Sequence, residues 1–443
     1  MIAPARIAAY DTVLAVNAGK SDLPAALHRA RQPLNDDRDR ALAGEIAAGT
    51  LRWQGASDHV IAAFAARPTA KLDREILAIL RISIFQLLHL DRVPASAVVD
   101  DAVELARRAG KKSAAGFVNA LLRRVSRERA TLPLPAAPAI DVLSITLSHP
   151  RWLAERWLNR HGEEAAVAWA RFNNQPAPLT LRVNTLKATR DELIASLAGA
   201  GVTAEPAKYA GDALIVTGGN PLLTPLAHTG AFVVQDEASQ LVGDFVGASP
   251  GERIFDACAS PGGKTTQMAA ATAGSGSIVA ADVRDKRIAL LRRTVQESGA
   301  TNVHLVQANA RVAAMVPGSF DAVLLDAPCS GLGTIRRDPD IRWRRGERDL
   351  PSLAEAQSQM LAELTQLVRP GGRLIYSTCS SEPEENEEVV AGFLAGDQDF
   401  VRRAPVRFET GPLRHLLESD GSLRTLPFRH GLEAFYAASL VRR

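Results

Sequence analysis

Between Arg253 and Ser377, five short apolar runs alternate with glycine-containing turns and helical stretches: Arg253–Ala257, Ser277–Ala281, Val303–Gln307, Ala322–Asp326 and Arg373–Ser377. Few folds accept this pattern. Runs this short suit strands buried on both faces better than helices. Strand–helix alternation makes the strands mostly parallel, with helices on both faces of the sheet. Ligands of such sheets sit beyond the carboxyl ends of the strands. A helix is expected over Leu353–Arg369, with Ser352 and Glu355 as a capping box and Pro370-Gly371-Gly372 as its stop.

The chain has three cysteines in 443 residues, and each follows one of these runs. Cys258 lies in Asp256-Ala257-Cys258-Ala259-Ser260-Pro261-Gly262-Gly263-Lys264, Cys329 in Asp326-Ala327-Pro328-Cys329-Ser330-Gly331, and Cys379 in Tyr376-Ser377-Thr378-Cys379-Ser380. A single cysteine is usually a small buried hydrophobe. Three at strand-to-loop junctions point to function instead. Two thiols at neighbouring strand ends can face one pocket, where a thiolate attacks an electrophilic carbon. Three cysteines exclude a disulfide framework, and reactive thiols suit a reducing compartment, so a cytoplasmic location is expected. There is no Cys-x-x-Cys, which argues against a thiol–disulfide oxidoreductase. No run approaches the roughly 18 apolar residues of a membrane span, and Met1 to Lys20 lacks a signal-peptide pattern.

Such a length implies two or three domains. The first 130 residues read as helices, with Ile76, Leu77, Leu80, Ile84, Leu87 and Leu88 at helical spacing. Thr131–Pro138 is a proline-rich linker. A small α+β segment follows, with a tryptophan-bearing helix over Ser148–Asn173, strands near Pro178–Thr185 and Ala213–Thr217, and a Thr189/Glu192 capping box. The expected domains are therefore 1–135, all-α; 145–230, α+β; and 231–443, α/β. A net charge of +3 is too small to establish a nucleic-acid partner. Its distribution is more informative: Asp101–Ala130 holds eight Lys/Arg against three acids, and Arg336–Arg348 six Arg against three acids. Such clusters can neutralise phosphates.

Segment 256–264 is neither a Walker A loop, whose first glycine is replaced by Cys258, nor a Gly-x-Gly-x-x-Gly dinucleotide turn. It fits the glycine turn after the first strand of a methyltransferase sheet, where Gly262 and Gly263 let the backbone approach a cofactor. Asp282 ends the next strand, where an acid accepts hydrogen bonds from ribose hydroxyls, and Asn309 follows the third, in position to meet adenine. Together they read as an S-adenosylmethionine site.

The runs DACASPGGKTT (256–266), DAPCSGLGTIRRDPDIRW (326–343) and YSTCSSEPEENEE (376–388) resemble the signature motifs of RNA 5-methylcytosine methyltransferases. More narrowly, the chain resembles the ribosomal RNA small-subunit methyltransferase B family. Segments 148–152, 181–186 and 234–239 extend that resemblance over nearly the whole chain. It implies an all-α NusB-like RNA-binding domain joined to a Rossmann-like catalytic domain. It also implies S-adenosylmethionine as cofactor, no metal, and 16S ribosomal RNA as substrate; a monomer is the expectation for the oligomeric state. The implied cofactor residues are Cys258, Ala259, Ser260, Pro261, Gly262, Gly263, Lys264, Asp282, Arg287, Asn309 and Asp326.

In such enzymes a thiolate adds to carbon 6 of cytosine, which makes carbon 5 nucleophilic, and later leaves by elimination. The base must be unstacked to expose its ring faces. The resemblance implies that Cys379 is the nucleophile and that Cys329 assists release. Local chemistry leaves the order open, because Pro328-Cys329 is also similar to the nucleophile motif of DNA cytosine methyltransferases. Asp326 is expected at the N3/N4 edge of the base, and Lys264 near a thiol whose ionisation it favours. RNA contacts are expected from Arg336, Arg337, Arg342 and Trp343, and less strongly from Arg182, Arg107, Arg108, Lys111 and Lys112. Asn309 stands where the family commonly has an acid, and Glu433-Ala434-Phe435-Tyr436 replaces the usual Asp-Gly-Phe-Phe; no catalytic role is expected of that segment. A transfer-RNA 5-methylcytosine methyltransferase and a non-catalytic NusB-like RNA-binding factor are the alternatives. The Cys329/Cys379 pair argues against the second.

Overall fold

The computed structural model describes residues 2–309 and 315–443. The chain divides into two compact units, Met1–Pro176 with Ile335–Glu347, and Ala177–Thr334 with Arg348–Arg443.

The first unit is helical. Its leading helices are α1 (Pro4–Asn17), α2 (Leu23–Arg31), α3 (Asp37–Arg52), α4 (Gln54–Ala65), α5 (Arg74–His89), α6 (Ala95–Arg108) and α7 (Ala115–Arg127). Eleven of the 16 residues of α5 are buried, so it is the central helix. Helices α6 and α7 bury one stripe each, Val98, Val99, Ala102, Leu105 and Ala106 on α6, and Val118, Leu121, Leu122 and Val125 on α7. The segment Arg151–Asn174 is two helices joined by a kink at Gly162 (φ +78°). The kink folds them back so that Trp157 stacks on Trp169, with ring centroids 4.8 Å apart and both rings fully buried. Sequence grouped this stretch with the α+β segment; in the structure it packs within the helical unit, so the division runs after Pro176.

The second unit contains two sheets. The smaller one has the order β2 (Thr203–Pro206), β3 (Ala213–Gly218), β1 (Thr180–Val183), β4 (Phe232–Val234), all antiparallel. The catalytic domain was expected to begin at residue 231, but β4, at the start of that range, pairs with β1 of the smaller sheet. The Thr189/Glu192 capping box starts the helix Arg190–Gly199, as the sequence implied.

Among the described residues the larger sheet has eight strands: β5 (Arg253–Asp256), β6 (Ser277–Asp282), β7 (Val303–Gln307), β8 (Phe320–Asp326), β9 (Val368–Thr378), β10 (Phe400–Arg402), β11 (Leu423–Arg424) and β12 (Tyr436–Arg442). Strands β5 to β9 are parallel, in the order β9-β8-β5-β6-β7. The last three strands add an antiparallel edge, β12 on β9 and both β10 and β11 on β12. The chain leaves β5 in one direction for β6 and β7, then returns to β5's other side with β8. That reversal opens a crevice above the carboxyl ends of β5 and β8, where α/β sheets hold their ligands.

The helix expected over Leu353–Arg369 runs instead over Leu350–Leu364, with a 3₁₀ turn after it. Ser352 is inside its first turn, and its hydroxyl donates to the Asp349 carbonyl at 3.0 Å, so it does not cap. Among the described residues, no helix is long and apolar enough to cross a membrane.

Candidate active site

Register brings the two thiols together. Asp326 at the end of β8 is paired with Ser377 on β9. The two chains therefore leave the sheet side by side, Cys329 three residues beyond one and Cys379 two residues beyond the other. Their sulfurs are 3.2 Å apart. Gly333 closes the turn: its N–H donates to the Cys379 carbonyl at 2.9 Å, and a Cβ there would lie 1.9 Å from the Ala434 carbonyl oxygen.

The carboxylate of Asp326 accepts from Ser377 Oγ and from Lys264 Nζ, both at 2.8 Å. Lys264 is the second residue of the helix Gly263–Ala271, and its side chain is only 12% exposed. Burial works against its charge, but the Asp326 carboxylate and Cys379 outweigh it and raise its pKa above the usual lysine value. Lys264 therefore remains a cation beside Cys379. That is the electrostatic setting in which a thiolate acts as nucleophile.

The thiol of Cys329 is held well above its usual range by its hydrogen bond to Cys379, by burial and by the Glu385 carboxylate. These influences favour the protonated form of Cys329. Cys258 differs from both. Burial and the carboxylates of Asp256, Asp326 and Asp282 push it up to about 12. Cys258 is thus a protonated side chain in the wall of the loop where the cofactor is expected, and stands apart from the Cys329/Cys379 pair.

The loop Cys258–Gly262 joins β5 to the helix Gly263–Ala271. Gly262 has φ +108°, and a Cβ there would lie 2.9 Å from Leu291. Ala259 N–H binds the Ala281 carbonyl at 2.9 Å, tying the loop to β6. At the end of β6, Asp282 accepts from Val283 N–H at 2.8 Å and lies 3.5 Å from Arg287. Asn309 is exposed, two residues past β7. Asp256, fully buried, accepts from Thr265 Oγ1 at 2.7 Å, and its other oxygen has no hydrogen-bond partner. Burial raises this carboxyl to about 7. A glycine turn opening a helix N-terminus, a carboxylate at the next strand end and an unsatisfied buried oxygen suit S-adenosylmethionine, which carries an amine, ribose hydroxyls and a carboxylate.

Two expected RNA contacts, Arg182 and Arg342, are corrected. Arg182 is 2% exposed, and its guanidinium donates to Gln235 Oε1 at 2.9 Å, to Thr266 Oγ1 at 2.8 Å and to the Gly263 carbonyl. It braces the Gly263 turn from behind. Burial lowers its pKa to about 10. Arg342 is fully buried and donates to the Ser148 carbonyl at 2.9 Å and to Asn174 Oδ1 at 3.1 Å within the helical unit. Trp343 uses its indole N–H on the Leu51 carbonyl at 2.6 Å. None of these polar groups is presented to a phosphate or base. Arg336 and Arg337 are half-buried; Arg336 lies over the Phe172 ring at 4.3 Å and donates to the Pro176 carbonyl at 2.8 Å. On the α6–α7 surface, Arg107 pairs with Glu104 and Lys111 with Asp73, while Arg108 and Lys112 are exposed.

The comparisons agree with this geometry. Residues 245–441 match the family described as 16S rRNA methyltransferase RsmB/F. Residues 3–127 match the NusB family, and 149–222 the ferredoxin-like domain of RsmF/B-like methyltransferases. The chain is 34% identical over 413 residues to the probable ribosomal RNA small subunit methyltransferase B of Bacillus subtilis, covering 92% of this chain and 91% of that protein. The chain belongs to the RsmB family. The ribosomal RNA small subunit methyltransferase B of Pseudomonas putida is 36% identical over 449 residues, 99% of this chain and 98% of that one. The crystal structure of PH0851 superposes with a TM-score of 0.81 at 27% identity and covers 99% of both chains. This RsmB-family protein is thus an S-adenosylmethionine-dependent RNA cytosine-C5 methyltransferase acting on ribosomal RNA, with a helical NusB domain, a ferredoxin-like domain and a Rossmann-like catalytic domain.

Sequence reasoning passed over Glu385 and Gln357, both fully buried beneath the two thiol-bearing loops. The run Glu382-Pro383-Glu384-Glu385 reads locally as a solvated acidic turn. Its serine-rich neighbours Ser330 and Ser380 were the available signal.

Proposed function

We propose that this enzyme methylates carbon 5 of a specific cytosine of 16S ribosomal RNA in the cytoplasm, through a covalent bond between Cys379 and carbon 6. The observation that carries the reading is the 3.2 Å approach of Cys329 and Cys379 beside the Lys264–Asp326 pair. The Cys379 thiolate adds to carbon 6, and electron density moves to carbon 5. Asp326 receives the N3/N4 edge of the base and stabilises the protonated ring, while Lys264 keeps its positive charge beside the attacking sulfur. S-adenosylmethionine, when bound, supplies an electrophilic methyl group for carbon 5. It is held by the Cys258–Gly263 turn and Lys264, by Asp282 with Arg287, by Asn309 and by Asp326.

Release follows from the second sulfur. Once Cys379 is a thioether, its charge no longer raises Cys329, so Cys329 can lose its proton to solvent and then, as the thiolate, take the carbon-5 proton. The carbon–sulfur bond then breaks, and Cys379 leaves as the thiolate. Within the Arg336–Arg348 cluster, Arg336 and Arg337 are the remaining arginine candidates for RNA contacts.

Cys379→Ala is expected to abolish methylation. Cys329→Ala is expected to leave an RNA–protein adduct that survives a denaturing gel. An adduct formed by Cys379→Ala instead would reverse the roles. Bisulfite mapping of RNA from cells lacking the enzyme should lose one 16S position; intact 16S RNA with altered transfer RNA would favour the transfer-RNA alternative.

A further inference from the structure

Beneath the paired thiols lies a buried carboxylate with no assigned role in the reaction. Glu385 is fully buried. Its Oε1 accepts from the Ser330 N–H at 2.8 Å and from Gln357 Nε2 at 3.0 Å. Its Oε2 accepts from the hydroxyls of Ser330 and Ser380. The two serine oxygens also accept from backbone, Ser330 from Leu332 N–H at 3.4 Å and Ser380 from Glu382 N–H at 3.1 Å, and lie 3.1 Å from each other. Gln357 also donates to the Pro328 carbonyl at 2.9 Å, one residue before Cys329. Four donors converge on this one group, the environment of an ionised carboxylate.

Ser330 follows Cys329 and Ser380 follows Cys379. We infer that Glu385 is a positioning residue that splints the two thiol-bearing loops and thereby sets Cys329 for its part in product release. A single carboxylate oxygen bridges both loops, so losing it loosens one of the ties between them, the Gly333 N–H bond to the Cys379 carbonyl remaining, and lets the thiols shift relative to each other. Misplacement of a reacting group by about 1 Å costs on the order of 100-fold in rate. The same negative charge acts on Cys329 directly, which lets charge and brace be separated experimentally.

The inference rests on the proposed roles of Cys379 and Cys329. Full-length Glu385→Gln, Glu385→Asp and Cys329→Ala would be compared on unmethylated 16S ribosomal RNA transcript with S-adenosylmethionine. Glu385→Gln is expected to cut kcat by about 100-fold and to accumulate covalent adduct about tenfold above wild type, with KM for RNA and S-adenosylhomocysteine affinity within about threefold. Its pH–kcat profile should move to lower pH, because the charge that raises Cys329 is gone. Glu385→Asp keeps the charge but is one methylene too short to span both serines, so it should lose kcat without that move. The double variant Ser330→Ala/Ser380→Ala provides a milder lesion with the same expected adduct if Glu385→Gln folds poorly. Wild-type turnover without adduct in these variants overturns the inference, as does loss of cofactor binding in step with kcat. If Cys329→Ala traps adduct and Glu385→Gln does not, only the positioning role fails. If Cys329→Ala traps none, the assignment of the two cysteines fails first.

Discussion

Replacing Arg182 with methionine separates a structural arginine from an RNA contact. Methionine fills most of the aliphatic volume, so the change removes the guanidinium and little packing. Three close hydrogen bonds are lost, to Gln235, Thr266 and the Gly263 carbonyl, with a longer one to Gln267 at 3.5 Å. A hydrogen bond from a charged donor contributes about 1.5–3 kcal/mol, and desolvation of the buried cation offsets part of the sum. We take the net loss as about 3 kcal/mol, because the side-chain oxygen of Gln235 is left short of a donor. In a unit of roughly 250 residues that lowers its melting temperature by about 6–12 °C. Since Arg182 supports the Gly263 turn, cofactor affinity should fall as well. Calorimetry of the full chain gives the first quantity and titration with S-adenosylhomocysteine the second. RNA binding across salt concentrations serves as the control, and its slope should be unchanged. An unshifted transition with a salt slope flattened by about one would refute the reasoning and restore Arg182 as a phosphate ligand.

Three further outcomes follow. The Asp256 carboxyl, raised by burial from 3.8 to about 7, contributes stability that is fully present below pH 3.8 and lost as the pH rises through about 7. The gap is worth about 4 kcal/mol, so Asp256→Asn should melt at higher temperature than wild type at pH 8, with the difference shrinking toward pH 5. If the difference stays constant with pH, the buried carboxyl does not titrate as described. Gly333→Ala drives a methyl group into the Ala434 carbonyl 1.9 Å away, and separating the Cys329 turn from the segment that leads into β12 should cost about 100-fold in methyl transfer. Near-normal rates would mean that the turn relaxes freely. Arg342→Met should lower the melting of the helical unit by an amount equivalent to about 3 kcal/mol while leaving the salt dependence of RNA binding intact, and a changed slope with unchanged melting would overturn its structural role.

The parallel strands were legible because each is a short apolar run ending at a turn, and that periodicity is local. Val303–Gln307 appears with the ends expected of it. The chemistry-bearing loops were legible for the same reason: Asp326, Cys329 and Cys379 stand at strand ends whatever else the chain does. What sequence alone did not reveal depends on partners far along the chain. The small strand β4 finds β1 some fifty residues earlier, and β12 closes the sheet against β9 from the C-terminus. Arg182 and Arg342 carry the same charge as any surface arginine, and only burial against carbonyl oxygens turns them into internal braces. Glu385 makes the same point from the acidic side. Its neighbours in sequence describe a wet turn, yet two serines from separate loops and a glutamine from the helix Leu350–Leu364 convert it into a well-satisfied carboxylate beneath the thiols. Periodicity and residue chemistry are properties of a segment, and the sequence carries them outright. Burial, register and the pairing of donors with acceptors are properties of surfaces that meet only once the chain has folded.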